Sequence, residues 1–470
     1  MSGIERAPSG VPGFDTIAHG GLPRGRATLL AGMAGSGKTL FGLSFLAGGA
    51  SDHGEPGIYV TFEERGNEVL RNAASFDWDL ERLIADGRLT MFDASAPEDE
   101  LRMGTFDLGG LIARLEHLAS ETGAKRLVVD SLSAILGRFT SAGDARTWML
   151  SLVTAVRALG LTTLLLVERR DEGDNLRVTS VESVVADAVI LLRNSLDGNV
   201  RRRTLEVVKL RGGSHERGAF PSAISAHAGF EVIALAATSL ERVASNERSP
   251  FGHPGLDAMT NGGVYKNTIT LVRGPSGVGK SLLTATFLRA GITAGEPVLV
   301  FAFEESPQEI IRNAASVGID LGAAYASGQL RMAARYPERL TLEDLLAQLK
   351  SDIERHAPAR IGLDSLSALA RTASDSFARD FVVAFTTYLK EHGIAGVITE
   401  QCDAAAGIGG LAHDSFAASL ADAVLLLRFD LEGNQVRRSL TVVKQRGSPH
   451  ATDVRPFTIT SQGLELAESG

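Results

Sequence analysis

Residues 32–39 read "GMAGSGKT" and residues 274–281 read "GPSGVGKS". Both fit G-x-x-x-x-G-K-[ST]. Each follows an apolar run ("ATLLA", "TITLVR") and opens a helix-like one ("LFGLSFLAGGA", "LLTATFLRAG"). The spacing has a physical reason. Glycines let the backbone curl, so that successive N–H groups surround a phosphate at a helix N-terminus. The lysine then reaches the β- and γ-phosphates, and the next hydroxyl binds Mg²⁺. One such match is compatible with a Gly-rich turn; two, each between a strand and a helix, predict two nucleotide sites. The residues are Gly35, Ser36, Gly37, Lys38, Thr39 and Leu40 in the first, and Gly277, Val278, Gly279, Lys280, Ser281 and Leu282 in the second.

Outward from these loops the chain repeats itself. "VTFEERGNEVLRNAASF" at 60–76 is matched by "FAFEESPQEIIRNAASV" at 301–317, "RLVVDSLSAIL" by "RIGLDSLSALA", and "LEVVKLRGGSH" by "LTVVKQRGSPH". Thr39 and Ser281 stand 242 apart, Glu63 and Glu304 241, Asp130 and Asp364 234, Lys209 and Lys444 235. Landmarks in one order at nearly constant offset mean two whole domains, not short solenoid units. The expected domains are 1–240 and 241–470, with a polar seam at about 236–250. In the first half "ATLLAG", "GIYVTF", "RLVVDS", "TTLLLVE" and "AVILLR" read as buried strands. "DLGGLIARLEHLASETG" and "DARTWMLSLVTAVRALG" read as helices between them. That alternation predicts an α/β fold with a mostly parallel sheet flanked by helices.

Composition agrees. A chain of 470 residues exceeds one ordinary core, and 44% hydrophobic with 22% charged residues is globular, not disordered. The net charge of −9 and pI near 5.7 are not the footprint of a nucleic-acid binder. Cys402 is the single cysteine, so no internal disulfide forms and a reducing cytoplasm is expected. The start "MSGIERAPSG" lacks a signal-type apolar run, and no stretch approaches the ~20 apolar residues of a spanning helix.

Strand ends carry the chemistry. Asp130 and Asp364 end apolar strands and match the carboxylate that holds Mg²⁺ beside a phosphate loop, although such an Asp is also a common cap. Glu63–Glu64 and Glu304–Glu305 are delivered to the same sheet edge, where a carboxylate can orient or deprotonate the attacking oxygen. The competing reading is an acidic turn that caps the next helix. Lys209 with Arg211, and Lys444 with Arg446, place two cations together late in each half, which could neutralise a γ-phosphate as a finger; a solvated basic strand end is the competing reading, weaker for two copies than for one.

These stretches, with "FDTIAHGGLPRGRATLLAGMAGSGKTLF", "ASFDWDL" and "RRRTLEVVKLRGGSH", resemble the KaiC family, two-domain RecA-like ATPases and autokinases of bacterial circadian and timing systems. The resemblance covers nearly all of both halves. It implies a homohexamer with ATP between subunits, a first domain that hydrolyses ATP and a second that also phosphorylates itself. It makes Glu63 and Glu304 the bases, with Glu64 and Glu305 beside them. Lys209, Leu210, Arg211, Ser214 and His215 would reach a neighbour's ATP, as would Lys444, Arg446 and His450. The family carries adjacent Ser and Thr acceptors; here "HDSFAASLADAVLLLRF" leaves Ala418 and Ser419, so Ser419 is the expected phosphoacceptor, with Ser415 as the alternative. The first half has Ser183 and Val184 at the paired positions. Little follows "FTITSQGLELAESG", so regulation through a KaiA-binding tail is not expected. A KaiB-like protein or a histidine kinase are the partners the resemblance suggests.

Two other classes compete. A RecA- or DnaB-type DNA motor would need basic DNA-facing loops, and Arg201–Arg203 is the single dense basic run. A ring scaffold that binds ATP without transferring phosphate would have no use for either glutamate pair. The ten histidines show no metal-ligand spacing.

Overall fold

The computed structural model describes residues 4–94, 108–137, 139, 141–169, 185–197, 200–225, 228–234, 245–337, 340–370, 375–402 and 415–467. The chain divides into two units, Met1–Ala237 and Thr238–Gly470. Part of the expected seam, and both Ser183 and Val184, lie outside the described residues.

In the first unit the strand Ala27–Gly32, which leads into the phosphate loop, is central to a nine-stranded sheet. From one edge the order is Gly229–Val232, Ala219–Ser225, Val200–Leu210, Ala188–Asp197, Ala27–Gly32, Thr162–Glu168, Arg126–Asp130, Gly57–Thr61 and Leu89–Asp93. The strands from Ala188–Asp197 onward run parallel, and the three before them form an antiparallel extension. The second unit repeats this order around Ile269–Gly274. Ala395–Gln401, Arg360–Asp364, Val298–Ala302 and Leu330–Ala334 lie on one side, Ala423–Glu432, Gln435–Gln445, Arg455–Thr460 and Gly463–Leu466 on the other.

The parallel strands are mostly apolar on both sides because both of their faces are covered. Alternation along each strand sorts the side chains. Leu30, Tyr59, Val128 and Leu166 pack with Phe41 and Phe45 of the helix Lys38–Asp52. Leu29, Val60, Val129 and Leu165 pack on the other face with Leu115 of the helix Leu108–Thr122 and Leu152 of the helix Ala142–Ala158. Burial of each such side chain contributes roughly 1.5–3 kcal/mol. A buried arginine anchors the start of the Asp130 strand: Arg126 Nε lies 2.7 Å from Glu55 Oε2, and Nη1 donates to the Phe45 carbonyl at 2.7 Å. Arg360 repeats this with Glu296 at 2.5 Å and the Pro250 carbonyl at 2.6 Å. Parallel order brings the C-terminal ends of these strands to one sheet edge, and the site is built there.

Candidate nucleotide site

The loop before the helix Lys38–Asp52 needs glycine. Gly35 and Gly37 have φ of 70° and 98°, and a Cβ on Gly37 would stand 2.7 Å from the Phe230 ring. Gly277 and Gly279, before the helix Lys280–Thr293, have φ of 74° and 118°. Left-handed backbone of this kind turns N–H groups toward one concavity. The Ser36 and Val278 side chains are buried, so these residues offer backbone alone. Lys38 Nζ donates to the carbonyls of Gly32 and Met33 at 2.9 Å, and Lys280 Nζ to those of Gly274 and Pro275 at 2.9 Å. Burial holds both ammonium groups below the ordinary lysine value. Glu168, Asp130 and Glu63 oppose that shift on Lys38, and Asp364, Cys402 and Glu304 on Lys280.

Asp130 and Asp364 end the strands Arg126–Asp130 and Arg360–Asp364. Asp130 Oδ2 accepts from Thr39 Oγ1 at 2.7 Å and from the Tyr59 hydroxyl at 2.6 Å. Asp364 Oδ1 accepts from Thr399 Oγ1 at 2.5 Å. A hydroxyl beside a carboxylate is a hard-oxygen pair, which fits Mg²⁺ completed by phosphate oxygens and water. Burial, then the Asp130 charge, raises the buried Tyr59 phenol well above the ordinary tyrosine value, so it remains a donor.

The helices that follow the acidic pairs have Arg65 and Ser306 as N-caps; Glu68 Oε2 accepts from Arg65 N–H at 3.4 Å, and Glu309 Oε2 from Ser306 N–H at 2.8 Å. In the first domain burial raises the Glu63 carboxyl, helped by Asp130 and Glu168. In the second burial raises Glu305, helped by Asp364, while Asn313 Nδ2 donates to Glu305 Oε1 at 2.9 Å. Lys280, Ser281, Leu282, Glu304, Glu305, Asp364 and Gln401 line one cleft of about 360 Å³, large enough for a nucleotide's phosphates.

The Lys-x-Arg lysines and Arg446 bind backbone carbonyls. Lys209 Nζ donates to the Ala186 carbonyl at 2.8 Å. Lys444 Nζ donates to the carbonyls of Ala418 and Ala421 at 3.0 and 2.6 Å, and Arg446 Nη2 to that of Ser419 at 2.9 Å. Burial, then the neighbouring arginine, holds Lys209 and Lys444 below the ordinary value. The two cations of the second half therefore sit on the segment that carries Ser419. In the first domain Ser214 Oγ lies 2.9 Å from His19 Nδ1, and His215 Nδ1 2.8 Å from the Glu216 carbonyl; in the second His450 is half-buried. Ser419 is exposed on the helix Phe416–Leu420, and Ser415 is its buried N-cap.

Sequence reasoning missed Tyr59 and Thr399, each the hydroxyl within an apolar strand run. It also missed the last position of the strand beside the phosphate-loop strand. There Glu168 pairs in register with Gly32, and Gln401 with Gly274.

Phosphate loop, strand-end aspartate and carboxylate pair on a parallel sheet define a RecA-like P-loop ATPase domain, present twice. A family model for the KaiC ATPase matches residues 7–237 and again 249–470. The chain is 39% identical over 467 residues to the circadian clock oscillator protein KaiC of Prochlorococcus marinus, covering 99% of this chain and 93% of that one. It is 40% identical over 469 residues to the KaiC of a Nostoc species, covering 100% and 90%. It is 39% identical over 468 residues to the circadian clock protein KaiC3 of a Synechocystis species, covering 99% and 92%. The chain belongs to the KaiC family of ATPases. Among the described residues no helix is long and apolar enough to cross a membrane.

Proposed function

We propose that this KaiC-family ATPase hydrolyses Mg-ATP in its first domain and, in its second, also transfers the γ-phosphoryl group to Ser419. The observation that carries the reading is the pairing of acceptor and cations. Lys444 and Arg446 bind the backbone of the exposed Ser419 segment, and none of the three lines the cleft of its own domain. Acceptor and finger thus travel together toward the ATP of another copy of the chain, which supports a ring with nucleotide between subunits; a homohexamer is the form the family resemblance suggests.

In the transfer Ser419 Oγ forms a bond to the γ-phosphorus as the bond to the bridging oxygen breaks, and ADP leaves with the electron pair. The serine proton passes to a carboxylate of the Glu304–Glu305 pair, with Glu304 the base that the resemblance favours. Ser281 and Asp364 would hold Mg²⁺, as would Thr39 and Asp130 in the first domain; the ion supplies charge neutralisation on the phosphates. Lys280 and the loop N–H groups hold the phosphates in place. At Glu63–Glu64 the same chemistry directs water instead of serine.

The names of the relatives support a role in circadian or other timing regulation, with a KaiB-like protein or a histidine kinase as candidate partner. Intact-mass and peptide mass spectrometry after incubation with Mg-ATP tests the kinase. One phosphate on Ser419, missing in Ser419→Ala and in Glu304→Gln, is the expected result. ADP accumulating without any phosphoprotein would leave an ATPase whose output is conformational.

A further inference from the structure

Resting on the kinase reading, we propose that Glu400 is a positioning residue that directs transfer to Ser419 and withholds Ser415. Ser415 Oγ accepts from the Ala418 N–H at 3.4 Å and donates to Glu400 Oε1 at 2.8 Å, and the residue is 9% exposed. Its proton is committed to a carboxylate and a lone pair to the backbone. Ser419 is exposed and donates to a neutral acceptor, the Phe416 carbonyl, at 2.7 Å. Two serines four residues apart thus differ in what must be broken before either can attack phosphorus.

Glu400 also reaches back to the phosphate loop. Its Oε2 lies 2.6 Å from Arg273 Nε, an ion pair instead of an aligned hydrogen bond. Arg273 is 5% exposed and directly precedes Gly274, the first residue of the loop. A polar path therefore runs from the phosphate-loop strand through Arg273 and Glu400 to Ser415, the N-cap of the acceptor helix. Lys444 and Arg446 hold the other end of that helix. Five residues form too short a helix to be stable alone, so its anchors decide where Ser419 sits.

A buried ion pair is a poor device for stability, since desolvation offsets most of the Coulomb gain. The first domain has no ion pair at the equivalent place: where Arg273 pairs in register with Glu400, Ala31 pairs with Val167. The pair occurs in the domain that carries the proposed acceptor, and it ends on the acceptor helix.

The test is phosphopeptide mass spectrometry on the full chain with Mg-ATP, with ADP release and circular dichroism in parallel. Arg273→Ala/Glu400→Val installs the first domain's own pair and removes both charges together, so neither is left buried alone. The ratio of phosphate on Ser415 to that on Ser419 should rise about tenfold, the factor that one hydrogen bond to a charged group controls. Glu400→Gln keeps the shape and the N-cap, should shift the ratio in the same direction, and carries the test if the double variant does not fold. An unchanged ratio in a folded variant, with the wild type phosphorylated on Ser419, overturns the positioning role alone. Phosphate on neither serine of the wild type overturns the kinase reading and this inference with it.

Discussion

In the first domain Asp130 is held by Tyr59, which comes from the neighbouring strand Gly57–Thr61 on one side. In the second domain Asp364 is held by Thr399, from the strand Ala395–Gln401 on the other side. The places they exchange are apolar: Val300 stands where Tyr59 does, and Leu166 where Thr399 does. Each domain has kept a donor aimed at the strand-end carboxylate and has changed the residue that supplies it. The duplicated sites share a requirement, an oriented carboxylate beside a hydroxyl, while the atoms that meet it differ. The same holds two positions along, where Glu168 pairs with Gly32 of the first phosphate loop and Gln401 with Gly274 of the second.

The strongest way to break the comparison is to remove one phosphate-loop lysine at a time. Lys38→Ala should lower ATP affinity at the first site by on the order of 100-fold, and Lys280→Ala should do so at the second. Nucleotide counting on the purified protein should then give about one ATP per chain in either variant instead of two. If either substitution empties both sites, the two domains do not bind independently.

How much of this was legible beforehand follows from how local each feature is. The phosphate loops need left-handed backbone at Gly35, Gly37, Gly277 and Gly279 and a lysine and hydroxyl in fixed sequence, so eight residues carry the reading. The buried strands announce themselves as apolar runs. The run "AVILLR" reads as a strand, yet the strand continues to Asp197, because Asn194 and Ser195 pair with Arg203 and Arg202 of the following strand. Composition does not carry that pairing. Tyr59, Thr399, Arg273 and Glu400 were hidden for the same reason: each lies inside or at the end of an apolar run, and its partner is fixed by strand register. The capping reading of the glutamate pairs was open in the sequence, because Glu68 and Glu309 stand only a turn away from them.

A sharper comparison removes the two donors in turn. Tyr59→Phe takes a hydroxyl from a partly buried carboxylate, and Thr399→Val does the same in the other domain. Each should cost about 1.5 kcal/mol and lower the Tm of its own domain by about 3 °C. Calorimetry checks this, and a loss confined to one variant would show that one donor is idle.

The smallest effect concerns the raised carboxyls. Glu63 keeps its proton to higher pH in the folded chain than in the unfolded one, first because of burial and then because Asp130 and Glu168 lie close. Between the ordinary carboxylate range and that raised value the folded state binds more protons, so stability falls as pH rises through the window. Above it the ionised Glu63 is a cost to the folded state. Glu63→Gln should therefore raise the Tm at neutral pH by about 2 °C, and the gain should vanish as pH drops below the ordinary carboxylate range. Glu305→Gln should behave alike in the second domain, where burial and Asp364 raise that carboxyl. A gain that survives in acid would trace to packing of the amide, and would separate the charge on these glutamates from their shape.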